Sequence, residues 1–340
     1  MIKNSLPLLL TLVVATGFSQ IGGRSVYQFL NLVNSPRQAA LGGKILTLYD
    51  TDVNQSQYNP ACINGEMNNQ LSANYGSYFG DVSYGTMAYA HNFGEKQRTF
   101  FAGATYINYG SFDGYDQIGR ATSSFSGSEA ALSAGYAYNI PETKLYVGAN
   151  AKLITSSLET YTSIGGAVDL GVLYRDSKNS VNWALAIRNV GTQFKTYAGQ
   201  REKLPTEIDL GISQELDNVP VRWHLTIENL QQWQVAFANP NRAVATIEGA
   251  SEPEKISFLG NFIRHTIFGV ELFPKKSFNV RLGYNFRRAE ELSIIEQRNF
   301  SGISLGFGLK ISNLRFNYAY SRYTLAANTS MFGLMIDLNK

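Results

Sequence analysis

Phe278-Asn279-Val280-Arg281-Leu282-Gly283-Tyr284-Asn285-Phe286-Arg287 alternates without a break. Phe278, Val280, Leu282, Tyr284 and Phe286 fall on one side of an extended chain, and Asn279, Arg281, Gly283, Asn285 and Arg287 on the other. A repeat of two residues marks a β-strand with one apolar face. The same rule organises Ile303-Ser304-Leu305-Gly306-Phe307-Gly308-Leu309-Lys310-Ile311, and it sets Val221, Trp223, Leu225 and Ile227 against Arg222, His224, Thr226 and Glu228. Extended along the chain, it predicts an all-β protein of about 14 strands. They fall near 70–78, 82–93, 99–109, 128–139, 144–154, 164–174, 181–190, 206–215, 221–230, 265–273, 278–287, 301–312, 314–323 and 330–338. Each is about ten residues long, the length a tilted strand needs to cross the hydrocarbon layer.

The connections carry an independent signal. Gly94-Glu95-Lys96-Gln97, Pro141-Glu142-Thr143, Asp176-Ser177-Lys178-Asn179, Asp217-Asn218-Val219-Pro220, Pro274-Lys275-Lys276-Ser277 and Ser312-Asn313 are short, and all follow even-numbered strands. The longer connections 110–127, 191–205, 231–264 and 288–300 all follow odd-numbered ones. Outer-membrane barrels have short periplasmic turns and longer loops outside, so this parity fits an even-stranded barrel with both termini inside the cell. A soluble sandwich has no reason to show it. Phe79-Gly80-Asp81 is short where a long loop is expected, which puts the first strand's placement in question. Alternation alone does not separate a lipid face around a polar lumen from a core face opposite a solvent face. Strand length and loop parity favour the membrane, and closure is then required, because an open edge in lipid leaves backbone groups unpaired.

The N-terminus agrees. Met1-Ile2-Lys3-Asn4, an apolar run from Leu6 to Val14 and small residues around Gly17-Phe18-Ser19 read as a signal peptide over residues 1–19. That run is too short to span a bilayer, and the sole cysteine, Cys62, does not follow it as a lipid-anchored cysteine would. One cysteine also makes no internal disulfide. Lys plus Arg total 29 against 26 Asp plus Glu, a balance without the basic footprint of a nucleic-acid partner. Tyr and Phe number 20 each and Gly 31, a mixture that suits strands and tight turns.

Residues 20–69 do not alternate. Tyr27-Gln28-Phe29-Leu30-Asn31-Leu32-Val33 suits a short helix, while Gly42-Gly43 and Asn59-Pro60 break the stretch after it. The expected arrangement is a plug over 20–69, folded into the mouth or lumen of a barrel formed by 70–340.

Phe29-Leu30-Asn31-Leu32, then Ser35-Pro36-Arg37-Gln38-Ala39-Ala40-Leu41-Gly42-Gly43, then Asn59-Pro60-Ala61, after the lead-in Gly22-Gly23-Arg24-Ser25-Val26-Tyr27, resemble the PorV/PorQ family of type IX secretion barrels, and its PorQ branch most closely. That family is similar to the FadL fatty-acid transporters, whose barrels also carry an N-terminal plug. The resemblance implies an outer-membrane place in a Gram-negative, Bacteroidetes-type bacterium. It also implies a non-enzymatic role, as an anchor of the type IX surface attachment complex. The implied partners are PorU-, PorV- and PorZ-like proteins besides outer-membrane lipids, with the PorZ-like subunit held by the barrel and the peptidase chemistry left to the PorU-like one. The alternative is a FadL-type transporter of hydrophobic small molecules. A transporter calls for an apolar path through the lumen, whereas the assignable inward residues are mainly small and polar.

Gly302-Ile303-Ser304-Leu305-Gly306 spells a nucleophile elbow. That chemistry needs a sharp strand-to-helix turn, and these residues sit inside an alternating strand. His91, His224 and His265 lie in separate strands without the converging spacing of a zinc site. Cys62 reads as a small packing residue. Arg222, Glu228, Arg281, Arg287, Lys310 and Arg315 are expected to line the lumen, solvated or paired with one another. No catalytic, cofactor or metal residue is assigned. The longest connection, 231–264, runs from Gln231-Gln232-Trp233 through Asn239-Pro240 to Glu252-Pro253-Glu254-Lys255. Phe237, Ile247, Phe258, Leu259 and Phe262 argue against its disorder, so it is expected to dock a partner or cover the mouth.

Overall fold

In lipid every backbone donor and acceptor must be paired within the protein, so a membrane sheet has to close on itself. This one does. The computed structural model describes residues 25–339 except 79, 81, 94–97, 236–243, 246–250, 253–255, 293–299 and 324–327. The segment assigned to a signal peptide, the lead-in Gly22-Gly23-Arg24, the Gly94–Gln97 turn, Phe237, Asn239-Pro240, Ile247 and Pro253-Glu254-Lys255 lie outside the described residues.

The wall consists of β1 (Gln70–Ser77), β2 (Ser83–Phe93), β3 (Arg98–Phe112), β4 (Phe125–Asn139), β5 (Leu145–Leu158), β6 (Tyr161–Asp176), β7 (Val181–Lys195), β8 (Glu207–Glu215), β9 (Val221–Ile227), β10 (Thr266–Leu272), β11 (Phe278–Asn285), β12 (Ile303–Ile311), β13 (Leu314–Arg322) and β14 (Asn328–Asp337). Consecutive strands pair antiparallel, and β1 pairs with β14 to close a barrel of 14 strands. Gln70 lies opposite both Asp337 and Ala90, so the first strand stands where the alternation put it. The short Tyr78–Val82 connection is a true tight link, in which Tyr78 N–H donates to the Val82 carbonyl at 2.9 Å. A two-residue pair, Val244-Ala245 with Ser251-Glu252, stands outside the wall.

Two expectations need correction. The strand predicted over 278–287 stops at Asn285, whose side chain caps the helix Phe286–Glu291. Phe286 and Arg287 therefore continue no sheet face. The strands read as 144–154 and 164–174 extend toward each other: β5 and β6 meet across Glu159-Thr160, with Glu159 at φ 55°. Strands β3 to β7 have 14–16 residues and outrun the predicted lengths, whereas β9 and β10 have seven each.

Burial decides between membrane and solvent. In β11 Arg281 is 1% exposed and Leu282 43%. Asn279 and Gly283 point inward as well, while Phe278 faces out. Inverted faces of this kind are expected only where the surroundings are apolar. At the short-turn end, Phe93, Phe100, Tyr138, Tyr174, Trp183 and Phe278 project outward as an aromatic girdle.

An arginine on the lipid face near mid-strand is therefore expected to cost about 2–4 kcal/mol. Unfolding measured in lipid vesicles should show that loss for Leu282→Arg and little change for Leu282→Phe.

Candidate functional site

The lumen is occupied. Residues 25–69 thread it from the loop end, where Val26 N–H donates to the Lys203 carbonyl at 2.9 Å, to the turn end, where the Asn69 carbonyl receives Leu338 N–H at 2.9 Å. The barrel wall begins and ends at the turn end, as loop parity requires, but the plug starts at the loop end.

Side chains complete the plug's backbone hydrogen bonding. Ser35 accepts from Gln38 N–H at 3.4 Å, and Pro36 opens the helix α1 (Pro36–Ala40) with a ring that fits its first turn. Asp52, Asn59 and Asn64 each accept from the N–H two residues on and so start three further single turns. Gln38 clamps the chain across α1, accepting Ile45 N–H at 2.6 Å and donating to Gln55 Oε1 at 2.6 Å. Tyr27–Val33 forms a single 3-10 turn, Gln28–Asn31.

The wall is shaped for this plug. A Cβ on Gly283 would stand 2.0 Å from Gly42 N, and one on Gly171 would stand 2.0 Å from Asn59 Oδ1. A Cβ on Gly148 would meet the Pro60 carbonyl at 2.4 Å. Inward glycines thus let the plug backbone lie directly on the sheet. They meet it at Gly42 and at Asn59-Pro60, within two of the stretches that carry the family resemblance.

Charge binds the two parts. Arg37 Nε and Nη2 donate to the two oxygens of Glu271 on β10 at 2.8 and 2.9 Å. Its Nη1 and Nη2 also reach Asp50 at 3.0 and 2.9 Å. Glu271 accepts from Arg281 Nε at 2.9 Å and lies 3.5 Å from Arg222 Nη1. Arg222 in turn bonds Glu215 at 3.0 Å, and Arg281 bonds Asn317 at 2.9 Å. A second cluster forms around Lys44, whose Nζ donates to both oxygens of Glu207 on β8 at 2.7 and 2.5 Å and stands 3.5 Å from Glu228. Arg188 joins Glu207 and lies 3.3 Å from Asp209, while Lys152 meets Asp169 at 2.7 Å. Burial raises the Asp50 carboxyl, but the adjoining Arg37 guanidinium more than offsets this and holds it well below the usual carboxylate range.

The candidates read from the sequence divide on position. Arg222 and Arg281 line the lumen and are paired with other side chains. Glu228 is buried beside Lys44 just beyond the end of β9. Arg287 is not in the wall; it pairs with Glu291 one helical turn on, at 2.8 Å. Lys310 and Arg315 pair across β12 and β13 in phase with the inward residues Ser304, Asn317 and Ser321, but at the rim beside the Ser312-Asn313 turn, where Lys310 is exposed. Ser304 is fully buried inside β12, bonded to Ser321 Oγ at 2.9 Å and Arg288 Nη2 at 2.7 Å, in none of the geometry of a nucleophile elbow. The histidines stand apart: His91 bonds Asn69 Oδ1 at 2.6 Å, His224 lies 3.7 Å from Glu271, and His265 bonds the carbonyls of Glu228 and Trp233 at 2.6 and 2.9 Å. Cys62 is buried, its Sγ 3.3 Å from the Leu46 carbonyl.

Arg37, Lys44, Lys152, Asp169, Arg188, Glu207 and Asp209 received no role from the sequence. One signal was available. Arg188-Asn189 breaks the alternation of β7, and the register there skips between Val168 and Leu170, a bulge that turns both consecutive residues inward.

Among solved structures, the toluene transporter TbuX of Ralstonia pickettii superposes with a TM-score of 0.54 at 13% identity, over 92% of this chain and 98% of that one. The likeness is one of fold, a closed FadL-like antiparallel barrel. A deletion variant of the monoaromatic hydrocarbon channel TodX superposes at 0.48 with 14% identity, over 88% and 96% of the two chains, too distant to add to the argument. No protein-family model and no curated protein matches the chain.

Removing one partner of a buried ion pair costs about 3–5 kcal/mol, since the other charge is left uncompensated. Arg37→Ala is expected to lose that much and to open the plug to protease, with Arg37→Lys recovering part of the protection. Because the folded-state value of Asp50 is depressed, its contribution is complete above its ordinary value of 3.8 and is lost only as the pH falls through the lower folded value. Plug protection by Asp50 should therefore hold through mild acid and fail only in strong acid, which proteolysis across a pH series would read.

Proposed function

We propose that the chain is a sealed outer-membrane barrel that anchors a surface assembly, the attachment complex of type IX secretion, by holding its PorZ-like subunit. The observation that carries this reading is the plug, which threads the lumen from end to end and is tied to the wall through Arg37 and Lys44. A pathway for solutes has to move that segment against two buried ion-pair clusters. An anchor needs only a rigid wall and accessible loops. The resemblance in the plug supports the type IX setting. PorU- and PorV-like proteins are the further partners it brings.

A transporter of hydrophobic molecules is the second reading. It draws on a cavity between plug and wall, lined by Val33, Ala39, Tyr84, Arg288, Ala319 and Met331. Its volume of about 20 Å³ holds one water rather than a hydrocarbon.

Affinity isolation of the tagged protein from gently solubilised outer membranes separates the two readings. Co-purification of PorZ-, PorU- and PorV-like proteins is the expected result. Recovery of the barrel alone with a stoichiometric lipid-like ligand would favour transport.

A further inference from the structure

The helix α2 (Phe258–Arg264) stands in the long connection after β9, capped by Ser257, which accepts Gly260 N–H at 3.0 Å. A helix on a water-facing surface turns its apolar side inward. This helix does the reverse. Its inward residues are Asn261, which donates to the Trp233 carbonyl, and Arg264, which lies 3.9 Å from Glu290. Its outward residues are Phe258, 73% exposed, Leu259, 64% exposed, and Ile263. The Trp233 ring stacks on Phe258 at 4.9 Å and widens the patch. The inversion matches that of the barrel wall.

The position supplies the reason. Strands β9 and β10 have seven residues each, fewer than the roughly 9–11 that a tilted strand needs to cross the hydrocarbon layer. α2 leads directly into β10 at the loop end, where Thr266 Oγ1 donates to the Phe262 carbonyl at 3.4 Å. The next outward side chain along β10 is the exposed Phe268. The patch is therefore continuous with the lipid-facing band and lies where the strands fall short.

We infer that α2 lies in the membrane, its Phe258, Leu259 and Ile263 among lipid acyl chains, and completes the apolar belt above β9 and β10. This rests on the barrel spanning a membrane and is independent of the anchoring role.

The test places a nitroxide on Leu259→Cys in the full-length barrel, in phosphatidylcholine vesicles containing no other protein; Cys62 is buried and does not compete for label. The ratio of oxygen to water-soluble nickel accessibility is compared with those of Leu282→Cys on the wall and Ile118→Cys in the loop between β3 and β4. A ratio at 259 matching that at 282 is expected. A ratio matching that at 118 overturns the inference, and it is also what a face reserved for a protein partner would give. Ile263→Cys repeats the measurement on the same face should the first variant fail to assemble.

Discussion

Glu271 lies almost wholly buried in the lumen, between Arg37 of the plug and Arg222 and Arg281 of the wall. A carboxylate so placed is tolerable only with cations and hydrogen bonds around it, because its own hydration is gone. The wall supplies two of those cations and the plug the third. The plug's Asp50 and Asp52 then share the positive charge that Arg37 brings. Wall and plug are thus electrostatically incomplete without each other. The requirement arises from the membrane, since outward apolar residues leave the polar half of every strand to be satisfied inside. The Lys44–Glu207–Arg188 cluster repeats the arrangement on the β7–β8 side of the lumen.

The same constraint explains what the sequence disclosed. Alternation is a local property, so Phe278 to Asn285 disclosed the strand, its two faces and, through the parity of the turns, the direction of the chain. Helix capping by Asn285 overrode it at Phe286, where the apolar pattern ran on but the sheet did not. Strand ends beyond the lipid, as at Leu158 and Tyr161, were also illegible, because they depend on pairing and no longer on the two-residue repeat. The ion-pair clusters were the least legible. Arg37 and Glu271 are 234 residues apart. No spacing rule connects a plug residue to a strand residue at that separation. The inward glycines were visible only as small lumen-facing residues; the plug backbone that needs them at Gly171 and Gly283 was not.

Gly42 and Asn59-Pro60 are where the plug lies closest to the wall, and Arg37 is where it is tied most heavily. These positions fall within the segment whose residues resemble the type IX barrels. Likeness in that segment can therefore reflect the way the lumen is closed. Tied in this way, plug and wall form one body, with the longer loops at one end and the aromatic girdle at the other. The likeness in fold to TbuX does not by itself bring solute passage with it.

Closure of the lumen is the claim on which the rest stands. Single-channel recording of the unaltered protein in a planar lipid bilayer tests it most directly. Insertion without steady ionic conductance is the expected result. A stable open conductance in the unaltered protein would contradict the account, because it would mean that the plug does not fill the lumen it is built into.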